Sequence, residues 1–129
     1  VIRIVLAMTQ DGFIARPDGR LPVHDREDLR AFRAMTMGTD CVVGRVTADT
    51  LPPLPGRRLL VMSRSAGLPD VAAVLRERRP GVPLSVIGGA QVYELFANIA
   101  DAWSVTTLEM RGGPGWIGLG PRMREVLGL

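Results

Sequence analysis

The chain has 129 residues, 47% of them hydrophobic, with one cysteine and a formal charge of +3. That length holds one domain over residues 1–129 with a sizeable core and is too short for two, and the lone Cys41 excludes an intramolecular disulfide framework. No apolar run is long enough to cross a membrane, and a modest charge carried by 16 arginines and no lysine gives no ground for a nucleic-acid partner. With no signal-peptide pattern at Val1–Arg3, the expected location is the cytoplasm.

Residues 1–8 (VIRIVLAM) form a near-continuous apolar run, the pattern of a central strand buried on both faces. Residues 9–12 turn the chain and 13–15 return briefly. The loop 16–23 (RPDGRLPV), punctuated by Pro17, Asp18-Gly19 and Pro22, is suited to serve as an active-site lid. Residues 24–37 predict the first helix, with Asp25 as N-cap, Glu27 and Asp28 in its first turn, and Leu29, Phe32 and Met35 as the buried stripe. A strand over 40–43 ends at Gly44, a short helix covers 45–51, a rigid turn covers 52–57, and a further strand covers 58–62.

A helix over 70–79 is stopped by Pro80-Gly81, with Arg76, Arg78 and Arg79 on a solvated face at its end. Residues 84–87 then read as a strand and Gly88-Gly89 as a turn. Residues 91–99 read as a helix with Val92, Leu95, Phe96 and Ile99 at helical spacing, and 103–108 as a strand: a βαβ unit. The glycine-rich stretch 111–120 predicts looser structure. Alternating strands and helices give an α/β fold, with a mainly parallel central sheet, helices on both faces, and ligands at the carboxyl ends of the strands.

Chemistry-bearing residues gather at those ends. Gly88-Gly89 lets backbone approach a phosphate at a helix start, and equally makes a plain tight turn. Arg45 and Thr47 follow the strand-ending Gly44, as a pyrophosphate site requires, and Arg64 stands where a nucleotide fold often puts an arginine for a 2′-phosphate. Arg57 follows a Pro-Gly turn able to aim a guanidinium at a carboxylate. Asp28 heads the apolar stripe Phe32/Met35; either it accepts two adjacent N–H groups of a ligand as a fork, or Asp25 and Asp28 are a capping pair. His24 reads as solvated, and no Cys/His/carboxylate cluster has metal spacing.

Five motifs in order resemble the dihydrofolate reductase family over residues 1 to 109. Ala7, Asp11 and Ile14 match its first turn, and Asp28-Leu29-Arg30-Ala31-Phe32 its D-L-x-x-F helix. Gly44-Arg45-Val46-Thr47 matches G-R-x-T, and Leu54-Pro55-Gly56-Arg57 matches L-P-G-R. Ile87-Gly88-Gly89 with Tyr93 matches the glycine pair, and Thr106 stands in the late strand. The resemblance implies a three-layer fold and NADPH-dependent reduction of dihydrofolate by hydride transfer to pterin C6. It implies that Asp28 holds the pterin and promotes protonation at N5, with Thr106 orienting Asp28. Val5, Ala7, Leu29, Phe32, Leu51 and Ile87 would line the pterin and nicotinamide pocket, and Arg57 would pair with the folate-tail carboxylate. Arg45, Thr47, Ser63, Arg64, Gly88, Gly89 and Gln91 would hold NADPH, together with Ala7, Ile14, Gly44 and Tyr93.

Departures accompany the match. Val23 stands where a tryptophan usually follows the lid proline, one extra residue precedes Asp28, and the stretch between Ser65 and Asp70 is too short for the usual strand. After Glu109 the C-terminal strands are reduced, which leaves a sheet of five or six strands. An open sheet edge together with Trp116, Ile117 and Leu119 would then be covered by a second subunit in a homodimer. Residues 9–15 (TQDGFIA) also resemble the riboflavin-pathway reductase domain, whose substrate is a ribityl-phosphate pyrimidine. A third reading is a non-catalytic nucleotide-binding or structural relative.

Overall fold

The apolar run at the start of the chain becomes β1 (Ile2–Thr9), hydrogen-bonded on one side to β5 (Leu84–Val86) and on the other to β6 (Ala102–Leu108). Its two faces are covered, with Ile4 and Leu6 in one core cluster and Val5 in another, so the run is apolar on both sides. The computed structural model describes residues 1–22 and 26–129, with the backbone but not the side chains of residues 26–28. His24 and the expected cap Asp25 therefore lie outside the described residues, as do the side chains of Glu27 and Asp28.

The remaining elements are β2 (Phe13–Ala15), α1 (Arg26–Thr36), β3 (Asp40–Gly44), α2 (Arg45–Thr50), β4 (Arg58–Met62), α3 (Val71–Glu77), α4 (Ala90–Phe96), β7 (Ile117–Gly118) and α5 (Pro121–Val126). The main sheet has the order β4-β3-β5-β1-β6, and every neighbouring pair is parallel. Residues 13–15 do not join it; β2 pairs antiparallel with β7 instead. Among the described residues one isolated bridge, Met62 with Leu68, stands by the stretch between Ser65 and Asp70, which the sequence reading holds too short for the family's usual strand.

Side chains alternate across this sheet. Ile4, Leu6, Val42, Leu60 and Val86 pack with Val74 of α3, Phe96 of α4 and Met123 of α5. Val5, Cys41 and Val43 point the other way, with Ile87, and meet Phe32 of α1 and Ala48 of α2. These two clusters make the three layers. Cys41 is fully buried, and loss of hydration pushes its thiol pKa up.

The structure corrects several expectations. On α1, Leu29 and Met35 are 43% and 40% exposed and Phe32 is half-buried, because that face borders an open cleft instead of the core. On α4 the buried residues are Val92, Tyr93 and Phe96; the helix ends at Phe96, leaving Leu95 and Ile99 exposed. The tail is not loose. Asp11 accepts the Gly112 N–H at 3.0 Å, β7 pairs with β2, and Glu94 on α4 accepts the Arg122 and Met123 N–H groups at 2.7 and 3.1 Å, capping α5 from outside. Glycine is required there by close contact: a Cβ at Gly112 would meet the Phe13 ring at 2.5 Å, and one at Gly120 the Glu94 carboxylate at 2.6 Å. Leu119 is buried in this chain's own core, so it is unavailable to a partner.

Arg79 is exposed, as expected, yet it also holds a fully buried carboxylate. Asp40 at the start of β3 accepts the Arg79 backbone N–H at 2.8 Å and its Nε at 2.8 Å, with Nη2 at 2.6 Å and Arg58 Nη1 at 3.8 Å. Burial works against ionisation of Asp40, but the hydrogen bonds and charge of Arg79, with the charge of Arg58, prevail and hold its pKa below the usual value. Breaking a buried pair costs about 3–5 kcal/mol, less where one partner is half exposed as Arg79 is. Asp40→Asn is therefore expected to lower stability by about 2 kcal/mol near neutral pH. A depressed folded-state pKa stabilises fully above the unfolded value of about 3.9 and is lost as pH falls through the folded value. Urea midpoints of parent and variant, well separated at neutral pH, should thus converge on acidification below about pH 4.

Candidate active site

A cavity of about 1150 Å³ opens at the carboxyl ends of β3, β4 and β5. Its floor is bare backbone. Gly44, ending β3, donates its N–H to the Gly88 carbonyl at 2.8 Å, and Gly88 has a φ of +128°, which L side chains rarely adopt. The Gly88–Gly89 peptide is cis, and a Cβ on Gly89 would lie 2.9 Å from the Thr47 hydroxyl. Around this cradle stand Arg45 and Thr47 of α2, Ser63 and Arg64 just past β4, and Gln91 in the first turn of α4. Among the described residues no carboxylate lies within 4 Å of Arg45 or Arg64. Ser63 Oγ accepts the N–H groups of Ser65 and Ala66 at 3.4 and 3.2 Å, so its own proton stays available to a ligand. Two guanidinium groups, two hydroxyls and a cradle that a methyl group would fill suit a phosphate-bearing nucleotide.

A second cavity, about 460 Å³, lies beside it on the α1 face of the sheet. Val5 and Ala7 of β1, Ile87, Leu29 and Phe32 of α1, and Leu51 after α2, the residues that the resemblance groups together, line it. Thr106 also lines it, opposite Ala7 in the β1–β6 register. Position 28 is one helical turn before Phe32 on α1; the Asp28 side chain lies outside the described residues. Arg57 stands behind Phe32 and outside the lining. Its Nη1 donates to Thr36 Oγ1 at 3.2 Å, its Nε to the Pro55 carbonyl at 3.3 Å, and its Cζ lies 5.9 Å from the Phe32 ring centre.

The lid loop touches both cavities: Gly19 lines the first, Arg20, Leu21 and Pro22 the second. Some expected site residues are placed elsewhere. Ile14 is in the core and lines neither cavity, while its neighbour Ala15 lines the first. Tyr93 lines the second cavity, not the nucleotide cradle, and its hydroxyl donates to the Val5 carbonyl at 2.8 Å; burial raises its pKa far above the ordinary tyrosine range. Ala7 too borders the second cavity and not the first. Gly88 shapes the cradle through its carbonyl without lining it. Sequence reasoning missed Arg20, Leu54, Leu108 and Ile117 as wall residues; the lid and Pro-Gly signals pointed to the first two, and nothing local marks the others.

Residues 1–114 match the family model of dihydrofolate reductase. The dihydrofolate reductase of Mycobacterium leprae (strain TN) is 36% identical over 121 residues, covering 84% of this chain and 73% of the relative. That of Mycobacterium tuberculosis (strain ATCC 25618 / H37Rv) is 37% identical over 118 residues, covering 85% and 73%. Among solved structures, a dihydrofolate reductase from Enterococcus faecalis complexed with NADP(H) and RAB-propyl superposes with a TM-score of 0.81 at 20% identity, over 93% of this chain and 77% of that one. At that identity the superposition speaks for the fold, while the family match and the mycobacterial relatives speak for the lineage. Both agree with the first of the two resemblances read from the sequence.

Proposed function

The chain belongs to the dihydrofolate reductase family, and we propose that it reduces 7,8-dihydrofolate to 5,6,7,8-tetrahydrofolate with NADPH, as one domain over residues 1–129 acting in the cytoplasm. The observation that carries this reading is the pair of adjoining cavities, one cationic and backbone-floored, the other apolar and slot-like, sharing the lid as a wall. Among the described residues no helix is long and apolar enough to cross a membrane.

When bound, NADPH supplies a hydride from nicotinamide C4 to pterin C6. The chain's part is to orient two ligands and keep water out. Arg45 and Thr47, with Gly44 and Gly89, would hold the pyrophosphate, Ser63 and Arg64 the 2′-phosphate, and Gln91 would contribute a further polar contact. Val5, Leu29, Phe32, Leu51 and Ile87 hold the pterin ring in an apolar slot, where a carboxylate's hydrogen bonds gain strength. Asp28 accepts the pterin's 2-amino and ring N–H groups and promotes protonation at N5, with Thr106 orienting it. Arg57, held by Thr36 and stacked on Phe32, meets the carboxylate of the folate tail.

Two measurements test this assignment. Loss of nicotinamide absorbance on mixing protein, NADPH and dihydrofolate is expected in the parent, and kcat in Asp28→Asn should fall by about 100-fold, the usual scale for losing a proton-transfer group. Unchanged turnover in the variant would remove Asp28 from the chemistry. Arg64→Ala should raise KM for NADPH by about 10- to 100-fold, the value of a charge-assisted hydrogen bond, and leave KM for NADH nearly unchanged. Equal effects on both cofactors would place the 2′-phosphate elsewhere.

For assembly we propose a homodimer through the open edge of β6, where backbone is paired on one side only and Trp103 and Val105 are 44% and 38% exposed. Sedimentation at micromolar concentration should give a dimer, and a monomer there ends the idea.

A further inference from the structure

The larger cavity takes guanidinium groups from Arg45 and Arg64, and Asp70 is the one carboxylate in its described wall. Asp70 reaches that wall because the chain after β4 turns back at once. Ser63 donates its N–H to the Leu68 carbonyl at 2.9 Å, and Leu68 donates its own to the Val61 carbonyl at 2.9 Å. Gly67 permits this return, since a Cβ there would strike the Val61 carbonyl. The parallel bridge of Met62 with Leu68 then sets Ser63-Arg64 and Pro69-Asp70 off in the same direction from neighbouring starts. Asp70 also caps α3: its Oδ1 accepts the Ala73 N–H at 2.8 Å, while Oδ2 takes no hydrogen bond among the described residues. Its neighbours on the wall, Pro69, Val71 and Ala72, have apolar side chains, so this side of the cavity offers one polar side chain, an acceptor. Among the described residues no ion pair within 4 Å joins Asp70 to Arg64, so neither charge is spent on the other.

A guanidinium and a carboxylate on one nucleotide site make opposite demands on the adenosine ribose. The cation favours a 2′-phosphate. The carboxylate favours a free 2′-hydroxyl, whose proton it can accept in a hydrogen bond and which a phosphate lacks. We propose that Asp70 is a specificity-determining residue of the nucleotide site and lets this chain use NADH as well as NADPH. The proposal rests on the reductase reading, because it concerns which nucleotide serves that reaction. Asp70 adds a hydrogen bond to the nucleotide with the free hydroxyl and repels the one with the phosphate, so it offsets the preference that Arg64 sets. The chemistry balances as it does with NADPH: hydride passes from nicotinamide C4 to pterin C6, N5 takes a proton, and oxidised nucleotide leaves.

The test compares the parent with Asp70→Ser and Asp70→Asn in the full chain. Both replacements keep an oxygen able to cap α3, so neither should unfold the helix, and thermal midpoints check this. Two readouts are taken: dissociation constants of NADPH and NADH by calorimetry without substrate, and steady-state kinetics of each nucleotide with dihydrofolate. The parent should bind NADH within about tenfold of NADPH and turn over with both. In Asp70→Ser the NADH dissociation constant should rise about tenfold, the value of a hydrogen bond to a charged group. That of NADPH should fall about threefold as the repulsion goes, which widens the preference for the phosphate. Asp70→Asn, whose amide still accepts from a hydroxyl, should tighten NADPH and keep most of the NADH affinity. A parent that prefers NADPH by more than about 100-fold overturns the proposal. So do equal shifts for both nucleotides in Asp70→Ser, which a cap alone explains, and no shift for either. If both nucleotides bind but dihydrofolate is not turned over, the reductase reading fails, and the binding ratio still decides the part of Asp70. Binding of neither nucleotide overturns both.

Discussion

Side chains alternate across the pleat of a strand, so Ile4 and Leu6 are committed to one face of the sheet and Val5 to the other. A parallel sheet must be covered on both faces, and here the two faces are covered unequally. Behind Ile4 and Leu6 the helices α3, α4 and α5 close a continuous core around Phe96 and Met123. On the Val5 face, α1 stands off far enough to leave Leu29 and Met35 in contact with solvent. The slot between α1 and β1 is thus the remainder of a packing problem solved on one side only. The ligand completes what the chain leaves open.

The same asymmetry governs the polar groups. Asp40, at the amino end of β3, is tied to Arg79 thirty-nine residues later in sequence, and Glu94 caps a helix twenty-eight residues away. Both carboxylates are spent on holding elements together, and neither lines a cavity. At the carboxyl ends of the strands the opposite holds, and Arg45 and Arg64 have no carboxylate partner among the described residues. Beside the backbone cradle of Gly44 and Gly89 these two guanidinium groups can receive a phosphate.

Much of this was legible in the sequence because it is local. Apolar runs at 1–8, 40–43 and 58–62 marked strands, and Gly44, Ser63 and Gly88-Gly89 marked where they end. Gly44, Ser63 and Gly89, at those strand ends, line the first cavity. What escaped was nonlocal or ambiguous. A stripe of Leu29, Phe32 and Met35 has the same spacing whether it faces a core or a cleft, so periodicity could not tell them apart. Six residues of α5 with one buried methionine carry too little pattern to stand out, and their cap sits on another helix. Glycines at 112 and 120 look like slack in a sequence and prove to be sites of close contact, since only the folded chain reveals what a Cβ would strike. Nothing local in the sequence shows that the Tyr93 hydroxyl donates to the carbonyl of Val5 on β1.

The chain has two tryptophans, and their placement makes it its own spectroscopic instrument. Trp116 lies beneath an arginine of the lid, where a cation near the indole alters its emission; Trp103 lies on the exposed side of the edge strand. The single tyrosine is buried, its hydroxyl on a carbonyl of β1. Light emitted by this protein therefore reports, with no label added, on the cover over its active cleft and on the edge of its sheet, and replacing one tryptophan leaves the other's signal alone.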